Sequence, residues 1–555
     1  MKRIIILINA AIIFLTIGCE KGFLDRKLDT NYSKEEVFLS YGTMRDFGLG
    51  IYTFLPQGFN RIDNAMFASA SDEAVHSGTG TFILGLTNGS WGPFSNPDDV
   101  WDNMYRGIRK ANLFLENSGE YRNVLYRDTV TESGKANYKS QTDDINWLRA
   151  EARFLRAFFY FELIKRYGGV PLIKETLDAE NTRLPRNTFE ECVNFIVTEL
   201  DATNTSLRDT WSDFNSGNQI GRATRGAALA LKARVLLYAA SDLNNPGNIR
   251  TKWIEAAQAA HSVIALNRYS LASNYRDLFR QMQSAEFIFE RRYSASNGLE
   301  KTTYPVGYEA ASGGVNPSQN LVDAYETSNG LPVKSDPSYN PQKPYDNRDP
   351  RLLMSVIVNN SDYKDRKVEI WEGGKDGTGK PRATRTGYYM KKFADESLDL
   401  LQNKTSSHAW IYFRYAEILL NYAEAMNEAY GPDDAAGFTL TARQALNMVR
   451  KRTGVNMPNV TDVSVSAFRE RVRNERRVEL AFEEHRAWDV RRWKIAEQEL
   501  GSPINGVKII KTGDLFSYQY VQVENRVFTE KMYLYPIQRT EIDKTSGVIK
   551  QNPGW

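Results

Sequence analysis

The chain has few of the residues that build disulfides, metal sites or the common catalytic motifs. Its 555 residues include only two cysteines and four histidines, which are Cys19, Cys192, His76, His261, His408 and His485. The histidines are far apart in sequence, so they form no H-E-x-x-H motif or similar ligand spacing. A G-x-S-x-G element is missing as well. The sequence therefore offers no catalytic motif, no metal-ligand spacing and no cofactor motif.

The sequence also lacks an excess of charge of one sign. Its 71 basic and 68 acidic residues leave a net charge of +3, so no strong positive field attracts a nucleic acid. The 41% hydrophobic and 25% charged residues are typical of a folded globular protein. Aromatic residues make up 12% of the chain, and the 29 tyrosines outnumber the 27 phenylalanines, which favours amphipathic surfaces.

The first nineteen residues have the pattern of an export signal. Lys2 and Arg3 precede an apolar run over residues 4–17, which is shorter than the roughly twenty residues that span a bilayer. Gly18-Cys19 then resembles a bacterial lipobox, although Thr16 replaces its usual aliphatic residue. We predict a signal peptide over residues 1–18 and a lipid anchor on Cys19. The alternative is an ordinary signal with an incidental cysteine.

Hydrophobic periodicity predicts a mainly α-helical body with helices in pairs. The predicted helices cover about 146–167, 189–200, 224–240, 414–430 and 441–453, and another begins near Trp253. Asn96, followed by Pro97 and two acids, predicts a further helix start. The alanine-rich pairs resemble tetratricopeptide repeats and form a scaffold. Residues 294–385 are rich in Gly, Pro, Asn and Asp, which predicts short strands and ordered loops.

Motifs along the whole mature chain resemble the SusD/RagB family of outer-membrane lipoproteins. They are FLD (23–25), WDNMYRGI (101–108), EARFLRAFFYF (151–161), YGGVPL (167–172), GRAT (221–224), LVDAYE (321–326), RDPR (348–351), FRYAE (413–417), NERRVELAFE (474–483), DVRRW (489–493), YPI (535–537) and QNPG (551–554). Glu484 departs from the family, which usually has glycine there. The resemblance implies a SusD-like fold, with an N-terminal region over 19–293 that carries the helix pairs. A C-terminal region over 294–555 carries the loop-rich insertion.

The arginine-rich segment 471–492 predicts an ion-pair network. Acidic residues interrupt its cations throughout, and Arg471 and Glu475 have the i,i+4 spacing of a helical pair. A nucleic-acid surface would present the cations without these acids. We interpret the segment as support for the fold.

The family resemblance also implies where a ligand binds. Ligand residues in such proteins come from the loop before the Trp101 helix and from the central irregular segment. A sugar ring suits an aromatic platform with polar side chains around it. We predict Trp91, Tyr304 and Tyr308 as platforms, and the hydroxyl partners Asp72, His76 and Asn96. The alternative for Trp91 and Phe94 is packing beneath their loop.

The resulting prediction is a non-catalytic, surface-exposed lipoprotein that captures oligosaccharides. The resemblance implies that it passes them to a TonB-dependent, SusC-like transporter in the outer membrane. One alternative is a peptide-binding receptor on the same scaffold. Another is a lipoprotein glycoside hydrolase, which requires a convergent pair of carboxylates.

Overall fold

The computed structural model describes residues 32–119, 127–178, 183–212 and 219–555. The predicted signal peptide and Cys19 lie outside the described residues. Helices are the predominant regular structure of the described chain, about 41%, and its strands are short, which confirms the predicted mainly α fold. Across these ranges no helix combines the length and the apolar character needed to cross a bilayer.

Eighteen α-helices follow one another in the described ranges. They are α1 (Lys34–Leu39), α2 (Tyr41–Leu49), α3 (Leu84–Asn88), α4 (Trp101–Asn117), α5 (Glu132–Tyr167), α6 (Phe189–Thr203), α7 (Arg225–Ala240), α8 (Arg250–Ile264), α9 (Tyr275–Leu278), α10 (Gly298–Thr303), α11 (Gln319–Ala324), α12 (Arg351–Ser355), α13 (Tyr415–Tyr430), α14 (Ala442–Arg450), α15 (Val465–Glu479), α16 (Arg486–Arg492), α17 (Ala496–Glu499) and α18 (Arg539–Lys544).

Ten strands in the same ranges form five antiparallel pairs. They are β1 (Ala74–His76), β2 (Phe287–Arg292), β3 (Val315–Pro317), β4 (Val356–Ile357), β5 (Asp362–Tyr363), β6 (Arg366–Lys367), β7 (Tyr389–Met390), β8 (Ala409–Arg414), β9 (Ile504–Thr512) and β10 (Leu515–Glu524). The pairs are β1 with β3, β2 with β8, β4 with β7, β5 with β6 and β9 with β10.

The predicted helix pairs pack side by side into one scaffold. Helix α8 packs against both α7 and α13, and α13 also packs against α14. Alanines such as Ala233 and Ala257, both buried, allow the close approach that the sequence pattern indicated. An ion pair between Arg234 of α7 and Glu417 of α13, at 2.6 Å, connects the α7–α8 helix pair to the α13–α14 helix pair.

Two predicted helix starts differ from the structure. The long helix α5 begins at Glu132 rather than near residue 146, because Thr131 caps it by accepting a hydrogen bond from the Gly134 amide at 3.0 Å. Helix α4 begins at Trp101 rather than just after Asn96. The Asn96 Oδ1 accepts a hydrogen bond from the Asp98 amide at 3.0 Å, so Asn96 stabilises a turn before the helix.

The arginine-rich segment forms the predicted ion-pair network, and the network is buried. Arg414, 1% exposed, pairs with Glu286, Glu479 and Glu483 at 2.7–2.8 Å. Buried charges require such partners, because an unpaired one is strongly destabilising. These contacts connect β8 and α15 through the centre of the molecule.

One ion pair expected within that segment does not form. Arg471 pairs instead with Glu326 at 2.7 Å, and Glu475 pairs with Arg351 at 2.5 Å. The i,i+4 spacing would allow Arg471 and Glu475 to contact each other along one helix. Both side chains instead pair with buried residues on other segments. The network therefore joins distant parts of the chain.

Candidate functional site

The two segments predicted to hold ligand residues meet in the β1–β3 pair. His76, the last residue of β1, lies opposite Val315 of β3. The Ser77 amide extends the contact by donating a hydrogen bond to the Gly314 carbonyl at 2.9 Å. The loop before the Trp101 helix and the central segment are thus joined at one edge, although they are far apart in sequence.

Six side chains that are exposed or half-buried surround the end of β1. We call this surface the β1–β3 face; its members are Asp63, His76, Ser77, Phe82, Ser312 and Arg385. The Phe82 amide donates a hydrogen bond to Asp63 Oδ2 at 3.1 Å. The Phe82 ring is 50% exposed, so it presents an apolar surface beside polar groups.

His76 is held in one orientation by its own loop. Its Nδ1 accepts a hydrogen bond from the Gly78 amide at 3.1 Å, which places the ring proton of the neutral form on Nε2. Burial lowers the pKa of His76 below its ordinary value, and nearby Arg385 acts in the same direction. At neutral pH the imidazole is therefore an uncharged hydrogen-bond donor at Nε2.

Arg385 links the β1–β3 face to the hairpin that β9 and β10 form. Its Nη1 donates a hydrogen bond to the His76 carbonyl at 3.3 Å and pairs with Glu524 of β10 at 2.8 Å. Glu524 also pairs with Arg526 at 2.8 Å. These contacts fix the guanidinium at the edge of the face.

The face has the chemistry of a sugar-binding surface. Phe82 offers a flat apolar surface for the C–H groups of a pyranose ring. The Asp63 carboxylate accepts hydrogen bonds and His76 Nε2 donates them, while the Ser77 hydroxyl, which donates to the Ser312 carbonyl at 3.3 Å, can accept one. Throughout the described ranges, no group of three or more His, Cys, Asp or Glu side chains is placed to hold a metal ion.

Of the six predicted ligand residues, Asp72 lies beneath the surface. It is 2% exposed, and its carboxylate accepts a hydrogen bond from Arg486 Nε at 2.8 Å and another from Arg477. Burial alone would raise the pKa of Asp72, but the two guanidinium groups hold it well below its ordinary value. The side chain therefore carries a charge that is already paired.

Trp91 and Asn96 are both buried in the loop before α4, away from the β1–β3 face. Trp91 is 5% exposed, and its ring centroid is 4.8 Å from those of Tyr535 and Trp555. This is the packing that the alternative interpretation described for Trp91, whereas Phe94 is 88% exposed. Asn96 is buried in the turn before α4.

Tyr304 and Tyr308 are brought together in another place, with Tyr363. Their ring centroids lie 5.6 and 5.5 Å from that of Tyr363. Tyr308 donates its hydroxyl hydrogen to the Tyr363 carbonyl at 2.6 Å. Both predicted tyrosines are buried.

His76 is thus the one predicted ligand residue that lies on the β1–β3 face. The ligand contacts predicted for the other five, which are buried, stay predictions. Sequence reasoning missed Phe82 and Arg385, although Phe82 lies in the loop before the Trp101 helix and Arg385 lies in the segment 294–385, both of which it singled out. Asp63 lies outside those segments and carried no local signal.

Two family models match this chain. The model described as SusD family matches residues 285–555. The model described as starch-binding associating with outer membrane matches residues 22–237. Together they account for most of the sequence.

Individual relatives resemble the chain over most of its length. A SusD-like protein, P38, of Formosa agariphila is 27% identical over 448 residues, which are 76% of this chain and 77% of that protein. The crystal structure of a SusD-like protein from Bacteroides fragilis is similar with a TM-score of 0.77 and 27% identity, covering 94% of this chain and 99% of the other. A SusD-like carbohydrate-binding protein from the same species has a TM-score of 0.74 and 25% identity, covering 92% and 99%.

Proposed function

This chain belongs to the SusD/RagB family, and we propose on that premise that it binds carbohydrate at the outer membrane without cleaving it. The family model that matches the N-terminal part describes starch binding and outer-membrane association. A structural relative at 25% identity is a carbohydrate-binding protein. Both descriptions support the proposal.

The observation that carries the proposal is the exposed Phe82 side chain on the β1–β3 face, where the Phe82 amide donates to Asp63 and where β1 ends at His76. An exposed ring can receive the apolar face of a pyranose, and the carboxylate and the imidazole can form hydrogen bonds with its hydroxyls. The Asp63 and His76 side chains are held by the Phe82 and Gly78 amides, so these two need little ordering on binding. The affinity is modest, because an uptake receptor must release its ligand.

We propose further that Cys19 is acylated and that the protein faces the outside of the cell, where a SusC-like TonB-dependent transporter receives the ligand. The lipobox-like Gly18-Cys19 pair and the family membership support this arrangement. A lipid anchor would hold the receptor beside the transporter and raise its effective concentration there.

Affinity electrophoresis of the full-length protein in detergent tests the proposal. Gels contain pullulan, laminarin, xyloglucan or mannan, and migration is compared with that in a gel without polysaccharide. We expect at least one polysaccharide to retard the wild-type protein, and Phe82→Ala to reduce the affinity about tenfold because the platform is lost. Phe94→Ala is the matched control, since Phe94 is also exposed but lies off the face.

Three outcomes would contradict the proposal. Unchanged migration of the wild type in every gel argues against carbohydrate binding. A loss caused by Phe94→Ala but not by Phe82→Ala moves the site away from the β1–β3 face. Shortened chains after incubation, detected by product analysis, would instead support the hydrolase alternative. Calorimetry with a tryptic peptide pool tests the peptide-binding alternative on the same samples.

A further inference from the structure

A separate cleft lies between the β9–β10 hairpin and the segment that follows α11. Its volume is about 410 Å³, which falls in the range of small-molecule sites. Residues of α11, of the loop after it and of β9 and β10 line the cleft. We call it the tyrosine cleft; the side chains that matter here are Gln319, Asp323, Lys334, Tyr339, Asn505 and Tyr520.

Two tyrosines form the aromatic part of the cleft. The Tyr339 and Tyr520 hydroxyl oxygens are 3.1 Å apart, so one donates to the other. Since one hydroxyl hydrogen serves this bond, the other stays available to a ligand. Tyr520 is 50% exposed, which leaves part of its ring open. The pair therefore offers an apolar surface that ends in hydrogen-bonding groups.

Polar side chains complete the lining. The buried Gln319 amide donates a hydrogen bond to Asp323 Oδ1 at 2.7 Å and accepts one from Tyr388 at 2.6 Å, so its orientation is fixed. Within the described ranges, the side-chain amide of Asn505 has no hydrogen bond to protein, and Lys334 has no ion-pair partner. Asn505 can donate to and accept from a ligand hydroxyl.

Hydrogen bonds of neighbouring residues hold the loop that carries Tyr339. Asp336 accepts hydrogen bonds from the Ser338 amide at 2.8 Å, the Ser338 hydroxyl at 2.7 Å and the Asn329 amide at 3.0 Å. Further along, Gln342 accepts a hydrogen bond from the Tyr518 amide of β10 at 3.3 Å. A preformed cleft loses little conformational entropy on binding.

We propose that the tyrosine cleft is a second carbohydrate subsite, one that takes a neutral sugar ring of the same chain that the β1–β3 face holds. This inference rests on the proposed function. Its basis is the half-exposed Tyr520 ring, together with the Asn505 side-chain amide and one tyrosine hydroxyl hydrogen that are available to a ligand. The neutral class follows from Asp323 and Lys334, whose opposite charges leave the lining with no excess of either sign.

The position of the cleft indicates a preference for long chains. Tyr520 and Glu524 are four residues apart on β10, roughly 13 Å or less, because the strand is irregular between Gln522 and Glu524. Glu524 pairs with Arg385 of the β1–β3 face. A ligand that reaches both places gains from two linked contacts, whereas a short oligosaccharide occupies only one.

The test compares a polymer with its own trisaccharide on the full-length protein in detergent. The probes are pullulan with maltotriose, laminarin with laminaritriose, and mannan with mannotriose, measured by calorimetry. For the pair that binds, we expect Tyr520→Ala to weaken polymer binding about tenfold and to leave trisaccharide binding within twofold. Asn505→Ala is a second, milder variant that keeps both rings. Phe82→Ala should weaken the binding of polymer and trisaccharide alike.

The outcomes separate this inference from the proposed function. If the wild type binds polymer but Tyr520→Ala and Asn505→Ala bind it equally well, the second subsite is refuted while the proposed function stands. If Tyr520→Ala weakens trisaccharide and polymer equally, the cleft is the primary site and the two-subsite arrangement is refuted. If the wild type binds no saccharide, both proposals fail. Binding of a tryptic peptide pool that Tyr520→Ala abolishes would overturn the ligand class.

Discussion

Glu479 lies 2.7 Å from Arg414 in the centre of the molecule. Arg452 and Arg351 contact the same carboxylate at 2.7 and 2.9 Å, and all four side chains are at most 1% exposed. Burial alone would raise the pKa of Glu479, but the three arginines hold it well below its ordinary value. One carboxylate thus links arginines from three separate segments of the chain.

Replacing Glu479 by glutamine should therefore destabilise the protein severely. The amide hydrogens would face guanidinium groups and the arginines would lose a buried counter-charge, which costs about 3–5 kcal/mol. Differential scanning calorimetry of the wild type and variant measures the loss as a lower melting temperature.

The matched control is Glu132→Gln, whose carboxylate pairs with Lys135 at 2.8 Å but is 91% exposed. Solvent screens that pair, so we expect no measurable change in melting temperature. Equal effects of Glu479→Gln and Glu132→Gln would show that burial does not set the strength of the network.

The fold was largely predictable because its helices carry periodic apolar residues. The scaffold helices α7 and α13 lie within a residue of the predicted bounds, since Thr224 caps the first and Gly431 follows the second. Residues 132–145 of α5 escaped prediction because they are mostly polar. The start of α5 depends on a single cap, Thr131.

The candidate site was less predictable, because it depends on contacts between distant segments. The residue types around His76 were visible in sequence, but its pairing with Val315 was not. Trp91 was a reasonable platform from its loop position, yet Trp555 at the end of the chain covers it. No local pattern distinguishes a tryptophan that faces a ligand from one that packs against a residue hundreds of positions away.

Glu484 should be a strained position that tolerates glycine better than alanine. Its φ is +65°, in the left-handed region where a Cβ costs about 1 kcal/mol. Its carboxylate pairs with Arg61 at 2.8 Å, and Arg61 also pairs with Asp98. Both Glu484→Gly and Glu484→Ala lose the ion pair with Arg61. The difference between their free energies of unfolding therefore reports the effect of the backbone conformation. We expect the glycine variant to be more stable by about 1 kcal/mol.

Glu470 provides a control for the two Glu484 variants, because the expected order of stability is reversed there. It lies on the exposed side of the regular helix α15, where glycine is less favourable than alanine by about 1 kcal/mol. Melting temperatures of Glu470→Gly and Glu470→Ala should therefore rank in the reverse order. The same order at both positions would rule out left-handed strain at Glu484.

Cys19 should determine where the protein resides. If the cysteine is acylated, cells grown with labelled palmitate incorporate the label, and Cys19→Ser abolishes incorporation and moves the protein out of the membrane fraction. Cys192→Ser is the matched control, because the Cys192 side chain is buried in α6. Label on the Cys19→Ser variant, or none on the wild type, would contradict the anchor.

Glu290 should make stability depend on pH. It lies on β2, 8% exposed, and burial raises its pKa to about 7 although Arg292 opposes the shift. The unfolded chain releases this proton near pH 4.5, so the stability that the protonated carboxyl contributes is present below that pH and is lost as pH rises to about 7. Glu290→Gln, which cannot ionise, should match the wild type near pH 4.5 and be more stable by about 3 kcal/mol above pH 7.

Calorimetric melting temperatures across this range give the difference between Glu290→Gln and the wild type. Glu255→Gln changes an exposed position, so its melting temperature should follow that of the wild type throughout. A constant difference between Glu290→Gln and wild type from pH 4.5 to 8 would show that folding does not raise the pKa of Glu290.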